Sequence, residues 1–157
     1  MKRIGLLSDT HSFLDPTLLK HFEACDEVWH AGDIGNVAVA NALEAFKPFR
    51  AVYGNIDGQP IRIRYPENQI FEVEGLKVLM THIGGYPGRY TARVKGLLQK
   101  HRPGLYICGH SHILKVMPDP KSKPAGRAGP RRGGFKSGGA KPGGAKSGAP
   151  RRRRRAA

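Results

Sequence analysis

The sequence predicts an α/β fold, in which strands and helices alternate along most of the chain. Three apolar runs of strand length, 3–8, 26–32 and 49–54, are separated by two segments of helical character, about 16–24 and 37–46. An order of strand, helix, strand is typical of a sheet covered by helices. A further observation concerns chemistry: polar side chains follow directly after the apolar runs, where each strand should end.

Local signals justify the elements of the first half. Asp15 followed by Pro16 supplies an N-cap and a first-turn residue, so a helix begins there. The second helix stops before Pro48. After Pro60 the pattern changes: IRIRY (61–65) and QIFEVEG (69–75) alternate with period two, which predicts half-exposed antiparallel strands.

Three further elements follow in the second half. The apolar run 76–82 predicts a strand that leads into a histidine, and a helix is expected over about 89–101. GLYICGHSH (104–112) predicts another strand that ends in two histidines, and ILKVM (113–117) predicts the start of one more.

Five of these strands end in polar motifs, DTH, GD, GN, TH and GHSH. In an open α/β sheet the carboxyl ends of the strands form the site crevice, so the motifs should converge. Their side chains offer oxygen or imidazole nitrogen, which suits divalent Mn, Fe, Co, Ni or Zn. Seven ligands are too many for one catalytic ion and are about right for two that share a carboxylate. The candidate ligands are Asp9, His11, Asp33, Asn55, His82, His110 and His112.

Each motif is weak alone, but the ordered set DxH, GD, GNxD, TH and GHxH resembles the calcineurin-like metallophosphoesterase superfamily. The spacing is most similar to its compact bacterial and archaeal branch, the YfcE-like small phosphodiesterases. The resemblance covers about residues 1–117. It implies two stacked mixed β-sheets flanked by helices, and hydrolysis of a phosphate ester, most of all a phosphodiester.

The resemblance also implies how the candidate ligands divide. Asp33 would bridge two ions, with Asp33 and His11 as the catalytic residues. A hydroxide between the ions would attack phosphorus in line. Manganese is the expected metal, with iron, nickel, cobalt or zinc as alternatives. The first ion would be held by Asp9, His11 and His112, and the second by Asn55, His82 and His110.

One departure from the family pattern concerns the general acid. Many members have histidine after the asparagine, whereas here Ile56 follows Asn55. His11 or water would then protonate the leaving group. Asp57 is expected to orient a ligand or cap a turn, and His30 is expected to pack within its strand.

The other departure is the C-terminus, where the family continues with further strands. Residues 118–157 hold 13 of the 27 Lys and Arg residues and one of the 12 acids, so this segment carries +12 and the rest +3. Phe135 is its one large apolar residue, which predicts a disordered basic tail after an incomplete domain of residues 1–117. Two interpretations stay open: a functional extension, or a GC-rich gene read out of frame.

Other sequence features limit which functions are possible. The N-terminus lacks the apolar run of a signal peptide, and no stretch has the ~20 apolar residues of a membrane span, so we expect a soluble, cytoplasmic protein. Cys25 and Cys108 form no disulfide or CxxC pattern and are expected to be buried thiols. The alternative functions are a non-catalytic interaction protein on the same fold, and nonspecific polyanion binding through the tail. No nucleic-acid-binding residue, natural substrate or oligomeric state can be assigned.

Overall fold

A computed structural model describes residues 1–120. The first half forms a three-stranded parallel sheet with the order β1-β2-β3. Its elements are β1 (Ile4–Leu7), α1 (Pro16–Phe22), β2 (Glu27–His30), α2 (Val37–Phe46) and β3 (Phe49–Ala51).

The second half forms a mixed sheet with the order β4-β5-β6, in which β4 and β5 are antiparallel and β5 and β6 are parallel. Its elements are α3 (Gln59–Arg64), β4 (Asn68–Val73), β5 (Leu76–Thr81), α4 (Ala92–His101) and β6 (Leu105–Ile107). The predicted α/β fold with two sheets and flanking helices is thus confirmed.

The helices begin where side-chain caps are available. The carboxylate of Asp15 accepts from the Thr17 amide, and Pro16 occupies the first turn of α1. Asn36 caps α2 through the Val39 amide in the same way. Because these caps satisfy amides that lack a partner inside the helix, they fix each helix start and the length of the loop that precedes it.

The two sheets stack through one apolar layer. Trp29, Ala31 and Val52 from the first half pack against Val78 and Met80 of β5. The outer faces are covered by helices, because separate buried clusters join the first sheet to α2 and β5 to α4. The carboxyl ends of the strands are therefore held by packing on both faces of each sheet.

The predicted strand at 61–65 is wrong, because these residues lie in and just after helix α3. Pro60 stands in the first helical turn, where its missing amide costs nothing. Ile61 and Tyr65 are buried four positions apart, while Ile63 between them is 75% exposed. The alternation of apolar and basic residues also fits one buried side of a short helix.

The predicted strand at 113–117 is also wrong, since these residues have no regular secondary structure. Ile113, Leu114 and Val116 are 70%, 95% and 94% exposed. Within residues 1–120, β1 and β6 each pair with one neighbour, so each has a free edge. The disordered tail was predicted for residues 118–157, and those from 121 onward lie outside the described residues. The domain boundary at 117 stays a prediction.

Two smaller observations complete the fold. Cys25 is partly buried and Cys108 is exposed, so the expectation of two buried thiols is wrong. Among the described residues, no helix is both long enough and apolar enough to cross a bilayer.

Candidate metal centre

The candidate ligands come together at the carboxyl ends of the strands, in two groups. Within each group the ligand atoms lie within 4.8 Å of one another. One group is Asp9, His11 and His112, and the other is Asp33, His82 and His110. Asn55 joins the second group, because its Oδ1 lies 3.2 Å from His82 Nε2.

Asp33 lies between the two groups. Its Oδ2 is 3.2 Å from His82 Nε2 in its own group and 3.6 Å from His11 Nε2 in the other. The opposite oxygen, Oδ1, accepts the Ile56 amide at 3.0 Å. One oxygen is therefore anchored by the backbone, and the other faces both sets of imidazoles.

Asp9 has a buried oxygen, Oδ1, without a hydrogen-bond partner. His112 Nε2 lies 3.3 Å from this oxygen, and His82 Nε2 lies 3.9 Å from it. The other oxygen accepts from Ser8 Oγ at 2.5 Å and from the His110 amide at 3.1 Å. A buried, unpartnered carboxylate oxygen is costly, and a cation would satisfy it. The residues present thus fit a metal ion.

The hydrogen bond of His82 fixes its tautomer. Nδ1 lies 2.7 Å from the carbonyl oxygen of Ala31, which can only accept, so Nδ1 carries the proton. In the neutral ring the lone pair of Nε2 then points toward oxygens of Asp33 and Asn55. Lone pairs that face each other in this way repel unless a cation lies between them, and this arrangement of a backbone-anchored histidine is typical of metal sites.

Left-handed backbone is concentrated in the centre. Eight non-glycine residues of the described chain have positive φ, and five of them are candidate ligands. These five are Asp9 (φ 58°), His11 (46°), Asp33 (56°), His110 (71°) and His112 (54°). Such conformations cost free energy and occur mainly where the surroundings impose them, as at binding sites.

Two glycines of the strand-end motifs allow the loops to approach one another. A Cβ on Gly54 would lie 2.0 Å from Asp33 Oδ1, and a Cβ on Gly109 would lie 2.0 Å from Ser8 Oγ. The glycines that precede Asn55 and His110 are therefore required by close packing. The motifs GN and GH contained this signal, but sequence alone could not identify the contacting atoms.

His30 was expected to pack within its strand, but it also links two loops of the centre. It is fully buried, accepts the Gly32 amide at Nδ1, and contacts Thr10 Oγ1 through Nε2 at 3.0 Å. The Thr10 hydroxyl donates to the carbonyl oxygen of Ile34, so it accepts from His30 Nε2–H. Burial lowers the pKa of His30 to about 4, and the ring stays neutral at pH 7.

Asp57, which was expected to orient a ligand or cap a turn, joins two loops of the centre. It is buried, and its two oxygens accept amides from two different loops. Arg62 was not identified from the sequence; it donates to carbonyl oxygens of the loop that carries Asn55. Of these contacts, the one between Asp57 and Gly35 joins residues 22 positions apart in the sequence.

A family model described as the calcineurin-like phosphoesterase superfamily domain matches residues 1–134. A probable metallophosphoesterase from Methanothermobacter thermautotrophicus is 30% identical over 114 residues, which cover 69% of this chain and 66% of that protein. The chain thus spans slightly less than two thirds of this relative.

Solved structures with the same fold include two of interest. The Thermotoga maritima protein TM1076 is 27% identical with a TM-score of 0.60, covering 74% of this chain and 78% of its own. Vacuolar protein sorting 29 from Cryptosporidium parvum has a TM-score of 0.61 at 15% identity, covering 76% and 69%. At that identity the second likeness concerns the fold alone.

Proposed function

Because the chain belongs to the calcineurin-like phosphoesterase superfamily, we propose that it hydrolyses a phosphodiester with two divalent cations held at the strand ends. The observation that carries the proposal is the position of Asp33 Oδ2, which faces imidazoles of both ligand groups. The proposed ligands are Asp9, His11 and His112 for one ion, Asn55, His82 and His110 for the other, and Asp33 for both.

Two such cations, when bound, lower the pKa of a shared water and neutralise charge on the phosphoryl oxygens. Manganese is the proposed metal, with iron, nickel, cobalt and zinc as alternatives. The two ligand groups contain oxygen and imidazole donors and no thiolate, which suits these metals. The Ile56 amide holds one oxygen of Asp33 in place, so the other oxygen, which would serve both ions, is already oriented.

His11, or a water molecule, is proposed to supply the leaving-group proton. The side chain of His11 is 42% exposed, whereas Asp33 beside it is 2% exposed, so His11 is open to an incoming substrate. Ile56 occupies the position where many superfamily members have a histidine, which leaves no imidazole directly after Asn55. Esters with good leaving groups should therefore react fastest.

The preference for a diester is supported by apolar side chains next to the ligands. Phe13, Ile56 and Ile113 each follow a ligand residue by one or two positions and are 70%, 44% and 70% exposed. Such side chains favour contact with an esterified organic group over a terminal phosphate surrounded by water.

The test compares bis(4-nitrophenyl) phosphate with 4-nitrophenyl phosphate, using protein loaded with Mn²⁺. We expect the diester to react faster, and Asp33→Asn to lower its kcat/KM at least about 100-fold, because a shared ligand is lost. Asp26→Asn is the matched control: this exposed carboxylate accepts the Arg3 amide far from the centre. Folded, metal-loaded protein without turnover of any phosphate ester would contradict the proposal.

The alternatives can be separated by two measurements. A non-catalytic interaction protein on this fold would bind fewer than two ions per chain, or bind them without turnover. Polyanion binding through the tail would disappear when residues 118–157 are deleted, and its affinity for DNA or RNA would fall steeply with salt.

A further inference from the structure

We infer that Asp57 is a positioning residue, which sets the distance between Asp33 and Asn55 and thereby assembles one of the two cation sites. This inference rests on the proposed function, because it concerns the same centre. Asp33 follows β2 and Asn55 follows β3; these strands pair as far as His30 and Ala51, and beyond that point the two side chains belong to separate loops.

The carboxylate of Asp57 connects these two loops directly. Oδ1 accepts the amide of Gly35 at 2.7 Å, and Oδ2 accepts the amide of Gly54 at 2.7 Å. Gly35 lies two residues after Asp33, and Gly54 directly precedes Asn55. Asp57 is 2% exposed, and both of its carboxylate oxygens accept backbone amides, one beside each of the two candidate ligands.

The contact between the loops leaves little room for adjustment. Gly54 packs so closely that a Cβ would lie 2.0 Å from Asp33 Oδ1. In the same contact, the Ile56 amide donates to that oxygen at 3.0 Å. A small displacement of the loop that carries Asn55 would therefore also move the Ile56 amide, which anchors Asp33.

Arg62 holds the Asn55 loop from the other side. Its Nε donates to the Asp57 carbonyl oxygen at 2.6 Å, and one terminal nitrogen lies 3.3 Å from the Asn55 carbonyl oxygen. Its guanidinium stacks 4.7 Å from the centre of the Tyr53 ring. Asp57 thus fixes the spacing of the two loops, and Arg62 fixes the shape of one of them.

The inference predicts a larger effect on one ion than on the other. Of the two loops that Asp57 joins, one carries Asn55, which is proposed for one ion alone, and the other carries Asp33, which is proposed for both. Asn at position 57 keeps the size of the side chain but presents an NH₂ group to one of the two amide donors. Since removal of a supporting hydrogen bond typically costs 10–100-fold in metal affinity, we expect Asp57→Asn to weaken one of two binding events by about that factor.

The experiment is an isothermal titration of the full-length chain with Mn²⁺, for wild type, Asp57→Asn and a control. Glu27→Gln is the control, because it also removes a buried, hydrogen-bonded carboxylate but lies at the opposite end of the sheet. Amide NMR supplies a second, metal-free measurement: Asp57→Asn should raise the hydrogen-exchange rates of Gly35 and Gly54 together, and Glu27→Gln should not.

The outcomes separate the two ideas. Stronger weakening of one ion than of the other supports the inference, whereas unchanged affinities, or equal weakening of both ions, would overturn it. Wild-type protein that binds two ions without hydrolysis would overturn the proposed function and leave this inference standing. Wild-type protein that binds fewer than two would overturn both. If Asp57→Asn does not fold, Asp57→Ser takes its place, because serine is smaller and cannot accept both amides at once, and the same results decide the question.

Discussion

The two ends of the parallel sheet differ in how their charged groups are satisfied. At the amino end, the buried Glu27 receives hydrogen bonds from Lys2 Nζ at 2.5 Å, Trp29 Nε1 at 3.0 Å and Arg50 Nε at 3.1 Å. At the carboxyl end, Asp9 has an oxygen that is buried and unpartnered.

This difference divides stability and binding between the two ends. The amino end is complete without any ligand, so its contacts contribute to the free energy of unfolding. The carboxyl end combines the unpartnered Asp9 oxygen with left-handed backbone, which destabilises the fold until something binds there. A substitution should therefore affect mainly stability at one end and mainly cation binding at the other.

The largest effect is expected for Asp9→Ala. Because it removes the unpartnered oxygen and a ligand of the first group, Mn²⁺ affinity and diester hydrolysis should each fall at least about 100-fold. The melting temperature of the metal-free protein should fall little in comparison. Titration calorimetry measures the Mn²⁺ affinity, and thermal unfolding in EDTA measures the metal-free stability. A large loss of metal-free stability with intact binding would contradict the division of stability and binding between the two ends.

Glu27→Gln should show the converse. Removing a buried charge that three donors surround should lower the free energy of unfolding by about 2–3 kcal/mol, because Lys2 and Arg50 lose their partner. Mn²⁺ affinity should stay as in wild type. Urea unfolding of both proteins measures the change, and an equal midpoint for the two would show that this cluster does not stabilise the fold.

The same carboxylate predicts a pH dependence. Burial raises the pKa of Glu27, but hydrogen bonds from Lys2, Trp29 and Arg50 outweigh burial and lower it to about 2. A carboxylate with a depressed pKa stabilises the fold fully above its unfolded value, near 4.5, and loses that contribution as pH falls toward 2. Wild type should therefore lose more stability than Glu27→Gln across this window, by about 1.4 kcal/mol per pH unit at most. Parallel loss in both proteins would exclude Glu27 as the group responsible.

The smallest effect on stability is expected for His112→Gly, a test of backbone strain at the carboxyl end. His112 has a φ of 54°, and glycine adopts this conformation without steric cost. Metal-free stability should stay the same or rise by up to about 1 kcal/mol, while binding of one ion is lost. Glu23→Gly is the control, because this exposed residue at the end of α1 has a φ of −54°, and it should be destabilised. A clear loss of stability in His112→Gly would argue against strain.

Local signals predicted much of the fold. The Asp15–Pro16 pair gave the start of α1, and the segment 37–46 agrees with α2 as observed. Period-two alternation failed at 61–65, because two buried residues four positions apart satisfy a helix as well as a strand. The strand prediction at 113–117 was also wrong, because these apolar residues pair with no strand of the described chain.

For the candidate site, the side chains were predictable from the sequence, but the contacts that hold them were not. The strand-end motifs indicated which side chains converge, because parallel strands end at one edge. The hydrogen bonds that hold them could not be predicted: Asp57 reaches Gly35 and His30 reaches Thr10 through tertiary contacts that carry no local pattern. Sequence thus identified the side chains that converge but not those that place them.

The pairing of Asp9 with His112 has a consequence for the chain as a polymer. The two lie near opposite ends of the described residues, yet their side chains meet within 3.3 Å. An ion held by both would act as a reversible cross-link that closes a loop of nearly the whole domain, and closing long loops restricts the unfolded chain most. Chelators should therefore loosen the entire fold rather than one loop, and the melting temperature should follow the free metal concentration.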